Sequence, residues 1–393
     1  MNVRTRTLLV FLATLAVEVL FLIAVGGFSR PLWGDEGHFV DTVHSFMNHS
    51  VTIADYPEVT PPFMYLLYAA WGLIFGGSLV SLRLFSLLLG ATASVLQYHL
   101  IRRFLGDGWK TWLGTAYLVV FPYFIGSGVF VYTDMLFQVV ILAAVHLFLS
   151  RRPLWFMLAA AVALLTRQYA IFLLVVSGIH GLQLLRKGNL NQAVWWLGGT
   201  QVAFLPLGIL MLVWGGLAPP LGRELWIVQN GTLWNPHAFS TMVTFTGFYA
   251  LPFIIYSYKQ IRVVRAVWYF LLPVGLFYGL FPVEASRVTV QQLGISTVGL
   301  LHKLLVAILP QLVVDVLLVL GYLSGVLVLR HLVISLRKKW AEGWLKQVSI
   351  VDLLITAYLL IMPLSYQTWE KYLLPVLPLI AVRLLMARVM EKD

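Results

Sequence analysis

The sequence predicts an all-α integral membrane protein, a polytopic bundle of about 12 transmembrane helices. Hydrophobic residues make up 60% of the 393-residue chain and charged residues only 11%, and the mean hydropathy is +0.87. Soluble globular domains carry roughly 25% charged residues, so this chain has too few to cover a surface that faces water. Apolar runs of about 18 residues or more, the length that crosses a bilayer, recur from end to end.

The positive charges indicate how the chain is oriented. A formal net charge of +11 would suggest nucleic acid as the partner of a soluble protein. Here the basic residues form short clusters between apolar runs, as the positive-inside rule expects, and no motif for binding nucleic acid is present. We therefore predict that the following clusters are cytoplasmic: Arg4/Arg6, Arg102/Arg103, Arg151/Arg152, Arg186/Lys187, Lys259/Arg262/Arg265, Arg337/Lys338/Lys339 and Arg383/Arg388/Lys392.

This orientation predicts a long first outer loop, residues 26–80, after a retained first helix at 7–25. The apolar segment Pro62–Phe75 within it is shorter than a full span, and counting it as a crossing would put Arg102 and Arg103 outside. We predict that it lies in the outer interface, so that the first loop carries interfacial helices. A true crossing that breaks the charge rule is the alternative.

Two modules are predicted along the chain. Residues 1–240 hold about seven helices and two outer loops, and residues 241–393 hold the C-terminal helices. In the first module, helices at 111–125 and 135–149 form a hairpin whose outer turn holds Asp134. The next hairpin turns outside near Arg167.

Adjacent carboxylates in the first outer loop are candidates for acid–base chemistry. Asp35 and Glu36 follow the first helix closely, where a partly buried acid can be tuned as a general base. The alternative is a solvated acid that caps a helix at 36–48. Asp35, His38, His44 and His49 are suitable residue types for zinc or manganese, but their spacing matches no tight ligand motif, and we predict no metal.

Cations at the outer face suggest an anionic ligand. Arg167 lies at the outer end of a helix and needs an anionic partner, which is either Asp134 or a phosphate group on a ligand. Arg287 and Lys371 are further outer cations. Several such cations together suit a phospholipid-like anion, whereas each alone could snorkel to headgroups.

Amide and aromatic side chains in the second outer loop are of the types that bind sugars. Gln229 and Asn230 lie among tryptophans, and His237 follows. The same aromatics are also typical of an interfacial belt.

With these motifs placed, the chain resembles the GT-C superfamily of polyprenyl-phosphate-sugar glycosyltransferases. Within it, the chain looks most like the alpha-1,2-glucosyltransferases that add the terminal glucose to dolichol-linked oligosaccharide. The chain is compact for that family and lacks the Gly-Asp expected between Asn230 and His237. The matching motifs are Asp35-Glu36-x-His38, Tyr132-Thr133-Asp134, Arg167-Gln168, Asn230-Gly231 followed by His237, and Lys371 to Pro375.

The resemblance implies an enzyme that transfers one hexose, with glucose favoured, from a polyprenyl-phosphate sugar to a lipid-linked oligosaccharide or lipid acceptor. It implies inversion at the anomeric carbon without a metal or other cofactor. The active site would face away from the cytoplasm, in the plasma membrane of a prokaryote or the endoplasmic reticulum of a eukaryote. The predicted roles are: catalytic, Asp35 with Glu36 in reserve; donor phosphate, Arg167, Arg287 and Lys371; sugar or acceptor, His38, Asp134, Gln168, Gln229, Asn230, His237 and Glu370.

Two alternatives remain at this stage. A mannosyl- or aminoarabinose-type transferase would use the same chemistry with another sugar. A transporter or flippase of lipid-linked sugars would place its ionisable residues near the bilayer midplane, whereas here they are predicted at one face.

Overall fold

The computed structural model describes residues 2–225, 234–257, 268–286, 289–291, 294–342, 347–365 and 369–387. Within these ranges the regular elements are all helical, which confirms the all-α prediction. Six helices are long and apolar enough to cross a membrane, or seven if a bent pair counts as one span. The chain is therefore an integral multi-pass membrane protein, and the total of 12 crossings stays a prediction.

The chain divides into two compact units, Met1–Ile227 and Val228–Asp393. The helices of the first unit are α1 (Val3–Ala24), α2 (Glu36–Met47), α3 (Phe63–Phe75), α4 (Leu79–Leu105), α5 (Trp109–Val119), α6 (Pro122–Val129), α7 (Thr133–Leu149), α8 (Pro153–Thr166), α9 (Ile171–Arg186), α10 (Leu190–Trp214) and α11 (Pro220–Leu225). A 3-10 turn, Gln168–Ala170, joins α8 to α9.

Helix α1 packs against α4 through small and polar residues. Thr14 donates a hydrogen bond to Ser94 on α4 at 2.8 Å. Glu18 is fully buried on the same side of α1, and neither oxygen of its carboxyl has a hydrogen-bond partner among the described residues. The glycines Gly90 and Gly128 leave the space that the Glu18 side chain fills, because a Cβ at either would lie within 2.2 Å of its Oε1.

The predicted helix at 111–125 is in fact broken. Helices α5 and α6 meet at an angle of 61°, with Phe121 in an extended conformation between them. Proline lacks the amide hydrogen that would continue the helix, and it disfavours helical geometry in the residue before it. Pro122 therefore ends one helix and begins the next, which the apolar run alone did not reveal.

The first outer loop contains two short helices, α2 and α3. At 13 residues, α3 is shorter than the roughly 18 residues that a full span needs. However, α7 and α8 are also among the shorter apolar helices. Length alone therefore does not decide whether α3 crosses the membrane, and its interfacial position stays a prediction.

In the second unit, the helices Pro236–Tyr256 and Gln311–Glu342 approach each other so closely that their backbones are in contact. A Cβ added to Gly247 would lie 1.9 Å from the carbonyl oxygen of Gly321, and one added to Gly325 would lie 1.9 Å from that of Val243. Small residues four apart allow helices to approach closely in membranes. The described helices of this unit are α12 (Pro236–Tyr256), α13 (Trp268–Leu280), α14 (Leu300–Ile308), α15 (Gln311–Glu342), α16 (Gln347–Ile361) and α17 (Leu377–Ala387).

Candidate active site

A buried ion pair anchors the start of α2. Arg83 on α4 donates from Nε to Glu36 Oε1 at 2.9 Å and from Nη2 to Oε2 at 2.6 Å, and both side chains are 0% exposed. The remaining Nη1 donates to the carbonyl oxygens of Phe28 and Arg30, both at 2.9 Å. Arg83 thereby fixes the chain that leaves α1 and the helix that follows it.

The Glu36 carboxylate also binds two backbone amides. The Trp33 amide donates to Oε2 and the Val131 amide to Oε1, each at 3.1 Å. Tyr132 donates its hydroxyl to the Trp33 carbonyl oxygen at 2.8 Å. Together these contacts hold residues 33–36 against residues 131–132. Because both oxygens of Glu36 are engaged in them and in the ion pair, the geometry favours a positioning role over the predicted reserve base.

Asp35 differs sharply from Glu36, although the two are adjacent. Its side chain is 50% exposed, and it occupies the N-cap position of α2 without a capping hydrogen bond from its side chain. Asp35 therefore occupies the cap position of the alternative interpretation, although its side chain accepts no capping hydrogen bond from α2. Asp35 thus presents a half-exposed carboxylate next to the buried Glu36–Arg83 pair.

His38, one turn along α2, lies between the carboxyl groups of Glu58 and Asp35. Its Nδ1 lies 2.6 Å from Glu58 Oε1, and its Nε2 lies 3.9 Å from Asp35 Oδ1. Burial lowers the pKa of His38, but the neighbouring carboxylates of Asp35 and Glu58 outweigh it and raise that pKa to about 9. Burial raises the pKa of Glu58, and His38 opposes this shift. We interpret the pair as an imidazolium that faces a buried carboxyl group, with Asp35 on its solvent side.

Arg167 has the protein partner that its position requires. Its Nη2 donates to Asp134 Oδ1 at 3.0 Å and also to the Thr133 hydroxyl, and Arg167 is only 6% exposed. Asp134 lies in the first turn of α7, where the helix dipole favours an acid. Asp134 is therefore a partner of Arg167, as the sequence allowed.

Gln168 connects this pair to the first outer loop. Its side-chain amide donates to the carbonyl oxygens of Val59 at 2.7 Å and Leu217 at 3.1 Å. Gly222 packs against the neighbouring Glu58 so closely that a Cβ would lie 2.3 Å from the Glu58 carbonyl oxygen. The first outer loop is therefore held against the segment that follows α10.

The hydroxyl of Tyr65 on α3 lies 2.7 Å from that of Thr60, which ties α3 to the same part of the first outer loop. Asp35, His38, Asp134, Arg167 and Gln168 are thus gathered from three stretches of the chain into one region of the first unit.

The predicted site residues of the second unit are placed differently. Glu370 is 0% exposed. It accepts from the amides of Leu301 at 2.9 Å and His302 at 2.7 Å, at the start of α14, and from the Tyr249 hydroxyl at 2.6 Å. This carboxylate caps a helix, so its geometry does not favour the predicted sugar-binding role.

His237 and Lys371 are more accessible. His237 lies at the start of α12, with Nδ1 2.9 Å from the Pro282 carbonyl oxygen and 3.2 Å from Glu284 Oε1. Lys371 is part of the 3-10 turn Glu370–Leu373 and is half-buried. Gln229, Asn230 and Arg287 lie outside the described residues.

Among the residues described, no group of three or more His, Asp or Glu side chains is placed to hold a metal ion. His44 instead lies with Nε2 2.7 Å from the Gly77 carbonyl oxygen. The metal-independent chemistry predicted from the sequence stays a prediction.

Sequence reasoning missed Arg83 and Glu58. Arg83 lies at the outer end of α4, where an arginine departs from the charge rule as Arg167 does, and that departure was the available signal. The sequence also indicates that Glu36 is buried, because Glu36 shares a helix face with Phe39 and Val43, three and seven positions on. Glu58 lies in an irregular loop, and no periodicity marks it as buried.

Two of the solved structures that are similar to the chain are of one protein, ArnT from Cupriavidus metallidurans. No protein-family model and no curated protein matches the chain. ArnT from Cupriavidus metallidurans in the apo state is 16% identical, with a TM-score of 0.44 over 98% of this chain and 78% of that one. The same protein bound to undecaprenyl phosphate is 16% identical, with a TM-score of 0.46 over 96% and 77% of the two chains.

Proposed function

We propose that this protein is a membrane glycosyltransferase that moves one sugar from a polyprenyl phosphate to a lipid-linked acceptor. The observation that carries the proposal is the placement of Asp35. Its carboxylate is half exposed, while the adjacent Glu36 is locked to Arg83. A reachable acid on a rigid support is the arrangement that a general base needs.

The proposed reaction is a single displacement. The acceptor hydroxyl oxygen attacks the anomeric carbon, and its proton passes to an Asp35 carboxylate oxygen. The bond between that carbon and the phosphate oxygen breaks, and its electron pair leaves with the polyprenyl phosphate. A single in-line displacement inverts the anomeric carbon.

The cations have a defined role in this proposal. Negative charge grows on the departing phosphate oxygen, so a cation placed there stabilises the transition state more than the ground state. Arg167, oriented by Asp134, is the proposed donor-phosphate residue of the first unit. Arg287 and Lys371 are proposed for the same role. A phosphate monoester carries less charge than a nucleotide diphosphate, so the proposal requires no metal.

The other proposed residues support or bind. Glu36 is proposed as a positioning residue, while His38 sets the charge beside Asp35. Gln168, Gln229, Asn230 and His237 remain proposed contacts for the sugar or the acceptor. Glucose is favoured as the sugar because of the sequence resemblance, and mannose and aminoarabinose are the competing possibilities.

The test is a transfer assay with purified full-length protein and polyprenyl phosphates that carry glucose, mannose or aminoarabinose, with and without EDTA. Asp35→Asn is compared with Asp41→Asn, a matched variant at an exposed position of the same helix. Loss of a general base lowers the rate by about 10²–10⁴-fold. We therefore expect that loss for Asp35→Asn and normal turnover for Asp41→Asn.

Full turnover by Asp35→Asn would remove the base assignment, and loss of turnover in EDTA would remove the metal-free mechanism. No transfer from any donor, together with movement of a lipid-linked sugar across vesicles, would replace the enzyme with a transporter.

A further inference from the structure

A basic cleft lies at the end of the first unit remote from Asp35. It has a volume of about 520 Å³ and is lined by His99, Arg102, Arg103, Gly106, Asp107 and His146. Arg102 and Arg103 lie in the last turn of α4, and His146 lies in the last turn of α7. Nothing in the proposed transfer reaction uses these residues.

The position of the cleft follows from the length of α4. Arg83, at the candidate active site, and Arg102, in the cleft, are 19 residues apart on one helix, or about 28 Å along its axis. The hydrocarbon core of a bilayer is about 30 Å thick. The cleft and the candidate site therefore lie at the levels of opposite membrane surfaces.

The charges around the cleft are mostly positive. Arg102 and Arg6 both pair with Asp107, and the Arg6 distance is 2.6 Å. Arg103 donates to the Ser150 hydroxyl at 3.0 Å and to the Leu149 carbonyl oxygen at 2.7 Å. Among the described residues, three guanidinium groups thus accompany the single carboxylate that lines this cleft.

Hydrogen bonds fix the walls of the cleft. His99 Nε2 lies 3.1 Å from the Thr7 hydroxyl on α1, and His146 Nε2 lies 2.9 Å from the Leu96 carbonyl oxygen on α4. Thr111 on α5 donates to the Gly106 carbonyl oxygen at 2.7 Å. The opening is therefore built into the junction of α1, α4, α5 and α7.

Apolar side chains near the cleft favour a lipid as the source of the anion. Leu9 and Leu12, within two turns of Arg6 on α1, are 48% and 51% exposed, and Trp109 and Leu113 on α5 are 61% and 55% exposed. Such surfaces at membrane depth suit acyl chains, whereas free phosphate would make no use of them. Basic pockets between membrane helices are known to hold anionic headgroups.

We propose that this cleft binds the phosphate group of an anionic phospholipid from the leaflet opposite the candidate active site. The phosphate would take the positions now held by Asp107 against Arg102 and Arg6, with the acyl chains along α1 and α5. Because binding can be measured without turnover, the proposal stands or falls separately from the transfer reaction.

The test is native mass spectrometry of the full-length protein in detergent, titrated with dioleoyl phosphatidylglycerol or dioleoyl phosphatidylcholine. We expect phosphatidylglycerol to bind more tightly. Each arginine near an anionic membrane surface contributes about 1 kcal/mol, so Arg102→Gln should weaken phosphatidylglycerol binding about fivefold. Asp107→Asn should tighten it, because the competing carboxylate is gone.

A matched control is Arg186→Gln, which removes one charge at the end of α9 outside the cleft. It should bind phosphatidylglycerol as the wild type does. Equal binding of the two lipids, or an equal loss in Arg186→Gln and Arg102→Gln, would overturn the site. Displacement of phosphatidylglycerol by 1,2-dioleoylglycerol, which has no phosphate, would also overturn it. The lipid assignment would be overturned by a different pair of results. Inorganic phosphate and glycerol phosphate would displace phosphatidylglycerol equally well, and the protein would not distinguish phosphatidylglycerol from phosphatidylcholine.

Arg102→Gln and Asp107→Asn are expected to change the affinity for phosphatidylglycerol in opposite directions, so misfolding cannot explain both results. A variant that simply fails to fold loses binding, and cannot produce the gain expected of Asp107→Asn. Weaker binding by Asp107→Asn with an unchanged melting temperature would contradict the proposal.

Discussion

Glu36 and Arg83 are 47 positions apart in the sequence and form a two-pronged ion pair in which neither side chain is exposed. This pair ties the first helix of the outer loop to a long transmembrane helix. The position of the exposed Asp35 is fixed because the adjacent Glu36 binds Arg83.

We predict that Glu36→Gln destabilises the protein by about 3–5 kcal/mol, because it leaves the Arg83 charge buried without its partner. The double variant Glu36→Gln/Arg83→Gln should lose less than the two single variants together, since it removes both charges. The measurement is the unfolding midpoint in detergent, with Asp41→Asn as the exposed control. Wild-type stability of Glu36→Gln would show that the pair does not anchor the loop.

The contact between His38 and Glu58 predicts a pH dependence of the first outer loop. The pKa of His38 rises from 6.5 to about 9 on folding, so its contribution to stability is complete below pH 6.5 and is lost as the pH rises through 9. The raised pKa of Glu58 acts in the same direction. Hydrogen exchange at residues 36–60 should therefore accelerate relative to the rest of the chain between pH 6.5 and 9.5.

His38→Gln is the comparison variant for this experiment. It should abolish the extra acceleration, because glutamine does not titrate in this range. The same acceleration in His38→Gln would assign the pH dependence to another group.

Gly222 offers a test of the packing between the first outer loop and α11. Gly222→Ala would place a methyl group 2.3 Å from the Glu58 carbonyl oxygen, a backbone atom that cannot turn away. We expect a lower unfolding midpoint and lower transfer activity. Gly198→Ala on α10 is the matched control, because a Cβ there meets nothing within 4 Å, and alanine favours a helix over glycine by about 1 kcal/mol. Equal behaviour of the two variants would refute this packing.

Glu370 is predicted to act on stability and not on donor affinity. Glu370→Gln replaces one of the acceptors at the start of α14, and a lost buried hydrogen bond costs about 1–3 kcal/mol. Hydrogen exchange at residues 300–308 should accelerate while the KM for the donor stays near the wild-type value. A raised KM with unchanged exchange would restore the sugar-binding role predicted from the sequence.

Sequence patterns predicted the charges of the site better than their partners. Arg167 was expected to need an anion, and Asp134 supplies one, because a charge that is only 6% exposed requires a partner of opposite sign. The helix face that Glu36 shares with Phe39 and Val43 indicated its burial, but no local pattern pairs Glu36 with Arg83, 47 positions away. Glu370 appeared as an outer acid, and only the approach of the α14 amides shows that it caps a helix.

The break at Pro122 has a similar origin. Hydropathy averages over a window and cannot register a single proline that redirects the backbone. The proline rule was available in the sequence, but the apolar run around it predicted an uninterrupted span.

The close approach of Gly247 to Gly321 has a consequence for biosynthesis. Helix α12 leaves the ribosome well before α15, and membrane helices associate only after each has inserted. Until Gly321 and Gly325 have been synthesised, Gly247 lacks the backbone against which it packs. The second unit thus cannot complete its assembly until translation has passed α15.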